Sequence, residues 1–289
     1  MELFPGFEQR RIRQGGIEIN AVIGGSGPPL LLLHGYPQTH VIWHKIAHRL
    51  AERFTVVATD LRGYGDSAKP PGLPDHSNYS KREMAQDQVA VMQALGFDRF
   101  FLAGHDRGGR VAHRLTLDHP DRVPRLAVLD IAPTKTMYEQ TDMGFARAYF
   151  HWFFLIQPAP FPETLINANR EFYLRTGLRA GPEMFAPPAW NEYVRCFDPA
   201  TVHASCEDYR AAAGIDLEHD RADEAAGRRI RCPLLVLWGK NGVIERCFNP
   251  LEAWGKVATN VRGRALPAGH YLAEEVPDLV YAEFIGFFG

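Results

Sequence analysis

Cysteine is scarce in this chain: four in 289 residues, Cys196, Cys206, Cys232 and Cys247, with no C-x-x-C pair among them. So few in a chain this long make no disulfide framework, and reduced thiols in a cytosolic protein are the expectation. Basic excess is also missing. Lys+Arg 32 against Asp+Glu 34 gives a formal charge of -2, which argues against a nucleic acid partner because nothing is left to neutralise phosphates. Long apolar runs are absent too. Leu30–Leu33 and Leu234–Trp238 are far too short to cross a bilayer, and Met1 to Arg13 lacks the apolar centre of a secretory signal. What is present is ordinary globular composition, 46% hydrophobic, 23% charged and 11% aromatic. The length allows one large domain or two smaller ones. A soluble, cytoplasmic protein with a small-molecule partner and no membrane association is expected.

Short apolar runs alternate with helical patterns. Leu30–Leu33, Phe54–Ala58, Phe100–Ala103, Leu126–Leu129 and Leu234–Trp238 read as strands buried on both faces. Phe7–Arg13 and Ile17–Ile23, joined by Gln14-Gly15-Gly16, read as a hairpin. Trp43, Ile46, Ala47 and Leu50 fall on one face of a helix over Val41–Leu50, and Lys81–Leu95 behaves similarly. Strand alternating with helix implies an α/β architecture with a mostly parallel central sheet flanked by helices. Ligands then bind beyond the carboxyl ends of the strands. After Asp130 the alternation stops. Aromatics crowd between Phe145 and Phe154, and Pro158, Pro160, Pro162, Pro182, Pro187, Pro188 and Pro199 break the stretch into short helices. This predicts a core domain of residues 1–132 and 215–289 with a helical cap domain, 133–214, inserted between two strands.

The segment Gly104-His105-Asp106-Arg107-Gly108 follows a strand and precedes a helix pattern over Val111–Leu117. That is the context of a nucleophile elbow, with Asp106 in the nucleophile position; a bare turn with Asp as a helix cap is the plainer alternative. His34-Gly35-Tyr36-Pro37 ends an earlier strand, and its Tyr36 amide, with the Arg107 amide, is a candidate oxyanion hole. His270, in the loop Leu266-Pro267-Ala268-Gly269-His270, is placed as a general base. For the acid, the strand ending Trp238-Gly239 is followed by no carboxylate until Glu245, whereas Asp130 ends the strand before. Asp130 is therefore the expected orienter of His270, with Glu245 the runner-up. Arg107 and Arg110 beside an anionic nucleophile suggest an anionic substrate, since a guanidinium forks onto a carboxylate. His40, His44, His48 and Glu52 stand four apart like a metal face, but the adjacent apolar stripe makes them the expected solvated flank of the helix. No metal and no organic cofactor is expected.

Gly104 to Arg110, with Asp130, His151-Trp152 and Asp208-Tyr209-Arg210, resembles the haloacetate (fluoroacetate) dehalogenases of the α/β-hydrolase family, over the whole chain. The resemblance implies the α/β-hydrolase fold and a triad of Asp106, Asp130 and His270. It implies that Arg107 and Arg110 hold the substrate carboxylate and that His151, Trp152 and Tyr209 donate to the departing halide. It also suggests a homodimer. The elbow motif is shared with epoxide hydrolases and haloalkane dehalogenases. The latter typically carry Trp after the nucleophile, where this chain has Arg107. An epoxide hydrolase would need two cap tyrosines, and Tyr149 and Tyr209 keep that reading open. A non-catalytic binding protein of the same fold would need none of the three triad residues.

Overall fold

The computed structural model describes residues 3–177 and 183–289. Among them eight strands form one sheet: β1 (Glu8–Gln14), β2 (Ile17–Gly24), β3 (Pro29–Leu33), β4 (Thr55–Thr59), β5 (Phe101–His105), β6 (Leu126–Leu129), β7 (Leu234–Gly239) and β8 (Val261–Leu266). Their order is β1-β2-β4-β3-β5-β6-β7-β8. β2 pairs antiparallel with β1 and β4, and the other pairings are parallel. Every residue of β6 and β7 is buried, as a sheet covered on both faces requires. β8 closes the edge with Leu266 as its one buried residue, and Arg262 and Arg264 turned outward.

Helices α1 (His44–Leu50), α2 (Lys81–Ala94) and α3 (Arg107–Asp118) lie between the first six strands. α1 is preceded by a 3-10 turn, His40–Trp43, whose first amides are capped by the Thr39 hydroxyl. α3 begins four residues before the apolar pattern does, because Gly108 and Gly109 carry no side chain to register in it. Among the described residues, the elements between β6 and β7 are helical apart from an isolated bridge at Ile230: α4 (Thr134–Glu139), α5 (Met143–Ala148), α6 (His151–Phe154), α7 (Phe161–Ala168), α8 (Arg170–Phe172), a π turn at Tyr173–Gly177, α9 (Pro187–Cys196), α10 (Pro199–Ala213) and α11 (Ile215–Ala225). Pro162, Pro187, Pro188 and Pro199 sit in the first turns of α7, α9 and α10, where a missing N–H costs nothing. Pro182 lies outside the described residues. α12 (Val243–Cys247), α13 (Pro250–Val257), α14 (Leu272–Glu275) and α15 (Pro277–Phe288) complete the chain.

The expected solvated histidine row is corrected at its first member. His40 is buried, and its backbone N–H and Nδ1 both lie 2.8 Å from Asp60 Oδ1. His48 and Glu52 are exposed. Among the described residues no group of three or more His, Cys, Asp or Glu could hold a metal ion, and no helix is long and apolar enough to cross a membrane.

Candidate active site

The carboxyl ends of β3, β5, β6 and β7 and the loop after β8 converge at one edge of the sheet. Asp106 stands on the turn between β5 and α3 with φ 46 and ψ -114. For a residue with a side chain this backbone costs on the order of 1–3 kcal/mol, a strain typical of reactive positions. The flanking glycines make the turn possible. A Cβ on Gly104 would come 2.5 Å from the Gly108 carbonyl oxygen, and one on Gly108 would come 2.3 Å from that of His34. The Tyr36 N–H donates to Asp106 Oδ1 at 3.0 Å. Burial alone would raise the Asp106 pKa, but His270, Arg110, His105 and Arg107 outweigh it and bring it to about 2. Asp106 is thus an anion with one oxygen tied and the other available.

His270 Nδ1 lies 2.6 Å from Asp130 Oδ2, and the Gly239 N–H donates to Asp130 Oδ1 at 2.9 Å. Burial works against the His270 imidazolium, yet the bond to Asp130 and the charges of Asp130 and Asp106 outweigh it, so its pKa is raised. With Nδ1 committed, Nε2 is the nitrogen left for chemistry. Glu245 is not at His270; it accepts from the Trp238 indole.

Arg107 and Arg110 are both buried, and each is largely held by internal acceptors. Arg107 gives Nε (3.0 Å) and Nη2 (2.6 Å) to the Asp208 carboxylate, and Nη2 also reaches the Asp208 carbonyl at 2.9 Å. Asp208 in turn accepts from Tyr64 Oη at 2.7 Å and from Lys81 Nζ. Arg110 gives Nη1 to the Ala132 carbonyl (3.1 Å) and Thr134 Oγ1 (3.0 Å), and Nη2 to Met137 Sδ (3.2 Å). Arg107 Nη1 and Arg110 Nε are buried with no partner among the described residues. Internal acceptors thus take three of the five N–H groups of each guanidinium, leaving two on Arg107, both on Nη1, and two on Arg110, one on Nε and one on Nη2.

Two aromatics cover these guanidiniums. Tyr209 lies 4.0 Å from Arg107 Cζ and Trp152 lies 4.6 Å from Arg110 Cζ. The Trp152 indole N–H is buried without an acceptor. His151 lies across from Tyr36 and Tyr209, ring centroids 6.1 and 5.9 Å apart, and burial lowers its pKa to about 3, so it carries one N–H and no charge. A cavity of about 220 Å³ is lined by Asp106, His270, His151 and Tyr209, with Tyr36, Tyr149 and Arg246 also on its wall. The volume suits a small substrate. Arg107 stacks on the lining residue Tyr209, and Arg110 on Trp152.

A profile of the α/β hydrolase fold matches residues 28–275. The chain belongs to the α/β-hydrolase family. It is 49% identical over 281 residues to a Burkholderia sp. protein named fluoroacetate dehalogenase, spanning 96% of this chain and 92% of that one. It is 34% identical to a soluble epoxide hydrolase of Corynebacterium sp. (strain C12), covering 94% of each. Its structure superposes with TM-score 0.95 on a protein from Nostoc sp PCC 7120 described as an α/β hydrolase, 58% identical and covering 98% of both chains.

Within this hydrolase, several contacts at the site escaped the sequence reading. His105 donates from Nε2 to the His270 carbonyl at 2.8 Å, and burial, reinforced by His270, brings its pKa to about 3. Tyr149 Oη lies 3.2 Å from His270 Nδ1. Asp208 was noted only as part of a motif, although it is the anchor of Arg107. The positions neighbouring Asp106 could have flagged His105; Asp208 is 101 residues from its partner and has no local signal.

Proposed function

We propose that this hydrolase cleaves the carbon–halogen bond of haloacetates, converting fluoroacetate to glycolate and halide through an ester of Asp106. The observation that carries the reading is a set of buried N–H groups without acceptors among the described residues, Arg107 Nη1 and Arg110 Nε beside an anionic Asp106 and Trp152 Nε1 on the ring that covers Arg110. Each unpaired donor costs about 1–3 kcal/mol in the empty protein, a cost that a bound anion would remove. The 49% identical Burkholderia relative supports the same substrate class.

In the first step Asp106 Oδ2 bonds to the α-carbon as the carbon–halogen electron pair leaves with the halide. Arg107 and Arg110, through the N–H groups their internal acceptors leave over, align the substrate carboxylate. His151, Trp152 and Tyr209 donate to the halide as its charge develops. Oδ1, held by the Tyr36 amide, becomes the ester carbonyl oxygen. Forming the ester cancels the Asp106 charge, one of the causes that raise the His270 pKa, so His270 more readily gives up its proton and is neutral when a base is needed. Nε2 then takes a proton from water as the oxygen adds to the ester carbonyl, and the Tyr36 and Arg107 amides hold the oxyanion. Collapse expels glycolate, protonated by His270, restores Asp106 and releases one proton to solvent.

The Asp106–His270–Asp130 triad, the core of residues 1–132 and 215–289 with its cap 133–214, and a homodimeric, cytoplasmic enzyme belong to the same proposal. Exposed Phe161, Leu165 and Phe172 offer apolar surface to a second copy. Epoxide hydrolysis is the second reading, favoured by Tyr149 and Tyr209 facing one cavity. Incubation with fluoroacetate and with a small epoxide separates the two. Fluoride with glycolate is the expected result, and diol without fluoride would reverse the assignment.

A further inference from the structure

Among the described residues lining the cavity, Asp106 is the one carboxylate and Arg246 the one arginine or lysine. An incoming anion therefore meets the negative nucleophile, and Arg107 and Arg110 are not among the described lining residues. Arg246, on the short helix α12, is exposed; its one hydrogen bond among the described residues runs from Nε to the Gly242 carbonyl at 3.3 Å. It makes no salt bridge among the described residues. The neighbouring Glu245 carboxylate is engaged by the Trp238 indole, and Asp142, the other acid beside Cys247, caps α5 through the Phe145 N–H at 2.8 Å.

We infer that Arg246 is a specificity-determining residue that draws carboxylate-bearing substrates into the cavity and sets the preference for anions over neutral halides. The inference rests on the haloacetate reading. Fields of this kind raise the local concentration of an oppositely charged substrate in a low-dielectric cleft. They weaken as salt shortens the Debye length to about 8 Å and below.

Arg246→Gln and Arg246→Glu test it, and at an exposed position both should fold. With fluoroacetate at low ionic strength, Arg246→Gln should lower kcat/KM about three- to tenfold and Arg246→Glu by a similar factor again. The loss should fall on kcat/KM rather than kcat. The three proteins should converge as salt rises toward about 0.5 M. Bromoacetamide, which is neutral, should react alike with all three. Titration of glycolate by calorimetry should show the same ranking and convergence. Identical salt dependence in all three proteins, or equal losses with bromoacetamide, would overturn the inference. Wild-type protein that releases no halide would overturn the dehalogenase reading instead, and the glycolate titration would still read the role of Arg246.

Discussion

Replacing Trp152 by Phe separates what the indole does for the fold from what it does in the reaction. Its N–H is buried without an acceptor among the described residues, so deleting it relieves about 1–3 kcal/mol of unmet hydrogen bonding. The smaller ring also loosens contacts with Tyr138 and Phe145, whose centroids lie 5.0 and 5.6 Å away, and with the Arg110 guanidinium at 4.6 Å. That loss is of the same order, about 1–3 kcal/mol. The two terms oppose each other, and folding stability should move by less than about 2 kcal/mol. The reaction sees only a loss. Removing one donor from a developing anion in a dry site costs about 3 kcal/mol, on the order of a hundredfold in rate. Fluoride should suffer most, because its charge is the most concentrated and its bond to carbon the hardest to break. Single-turnover release of fluoride, chloride and bromide, followed with ion-selective electrodes beside thermal melts, measures both sides. Equal losses for all three halides, or a collapsed melting temperature, would mean that Trp152 only packs the helices around it.

The other predictions concern the acid, the arginines and acid stability. Asp130→Asn should slow ester hydrolysis while leaving the first halide release nearly intact, and Glu245→Gln should leave both steps nearly unchanged; the reverse result in rapid-quench assays would move the orienting role to Glu245. Arg110→Lys should raise the KM for haloacetate nearly as much as Arg110→Met, since the nitrogen with no partner among the described residues is Nε and lysine has no donor there; a wild-type KM would show that charge alone is enough. His105, His113 and His151 are brought to about 3 by burial, against about 6.5 in an unfolded chain. Because their folded pKa values are depressed, their contribution is fully present above about pH 6.5 and is lost as pH falls toward 3. Near pH 5 the unfolded chain holds up to three more protons, a slope of at most about 4 kcal/mol per pH unit. Urea unfolding between pH 5 and 7 should show it, and His113→Gln, outside the cavity lining, should remove about a third; a flat profile would refute the burial argument.

The sequence carried the strands that are buried on both faces, because β3, β6 and β7 are unbroken apolar runs. β8 left little trace, since an edge strand with one buried residue and outward arginines reads as a loop. The elbow was legible because glycine spacing, strand and helix all point to the same turn. The choice of Asp130 over Glu245 followed from position, and the structure brings Asp130 to His270. The arginines were found but their geometry was not. Asp208, Thr134, Ala132 and Met137 decide which N–H groups are spent, and those partners meet Arg107 and Arg110 only after folding. The same holds for His40, whose partner Asp60 sits across the first strands of the sheet rather than on the helix whose spacing suggested a solvated face.

The covalent ester on Asp106 is the centre of the account, and the His270→Ala variant tests it most directly. Without a base to activate water, the variant should release one halide per site from a haloacetate and then stop. Mass spectrometry of the digested protein should find a carboxymethyl group on the peptide carrying Asp106, and Asp106→Asn should give neither halide nor adduct. Continued turnover without an adduct, or an adduct on another residue, would contradict the mechanism.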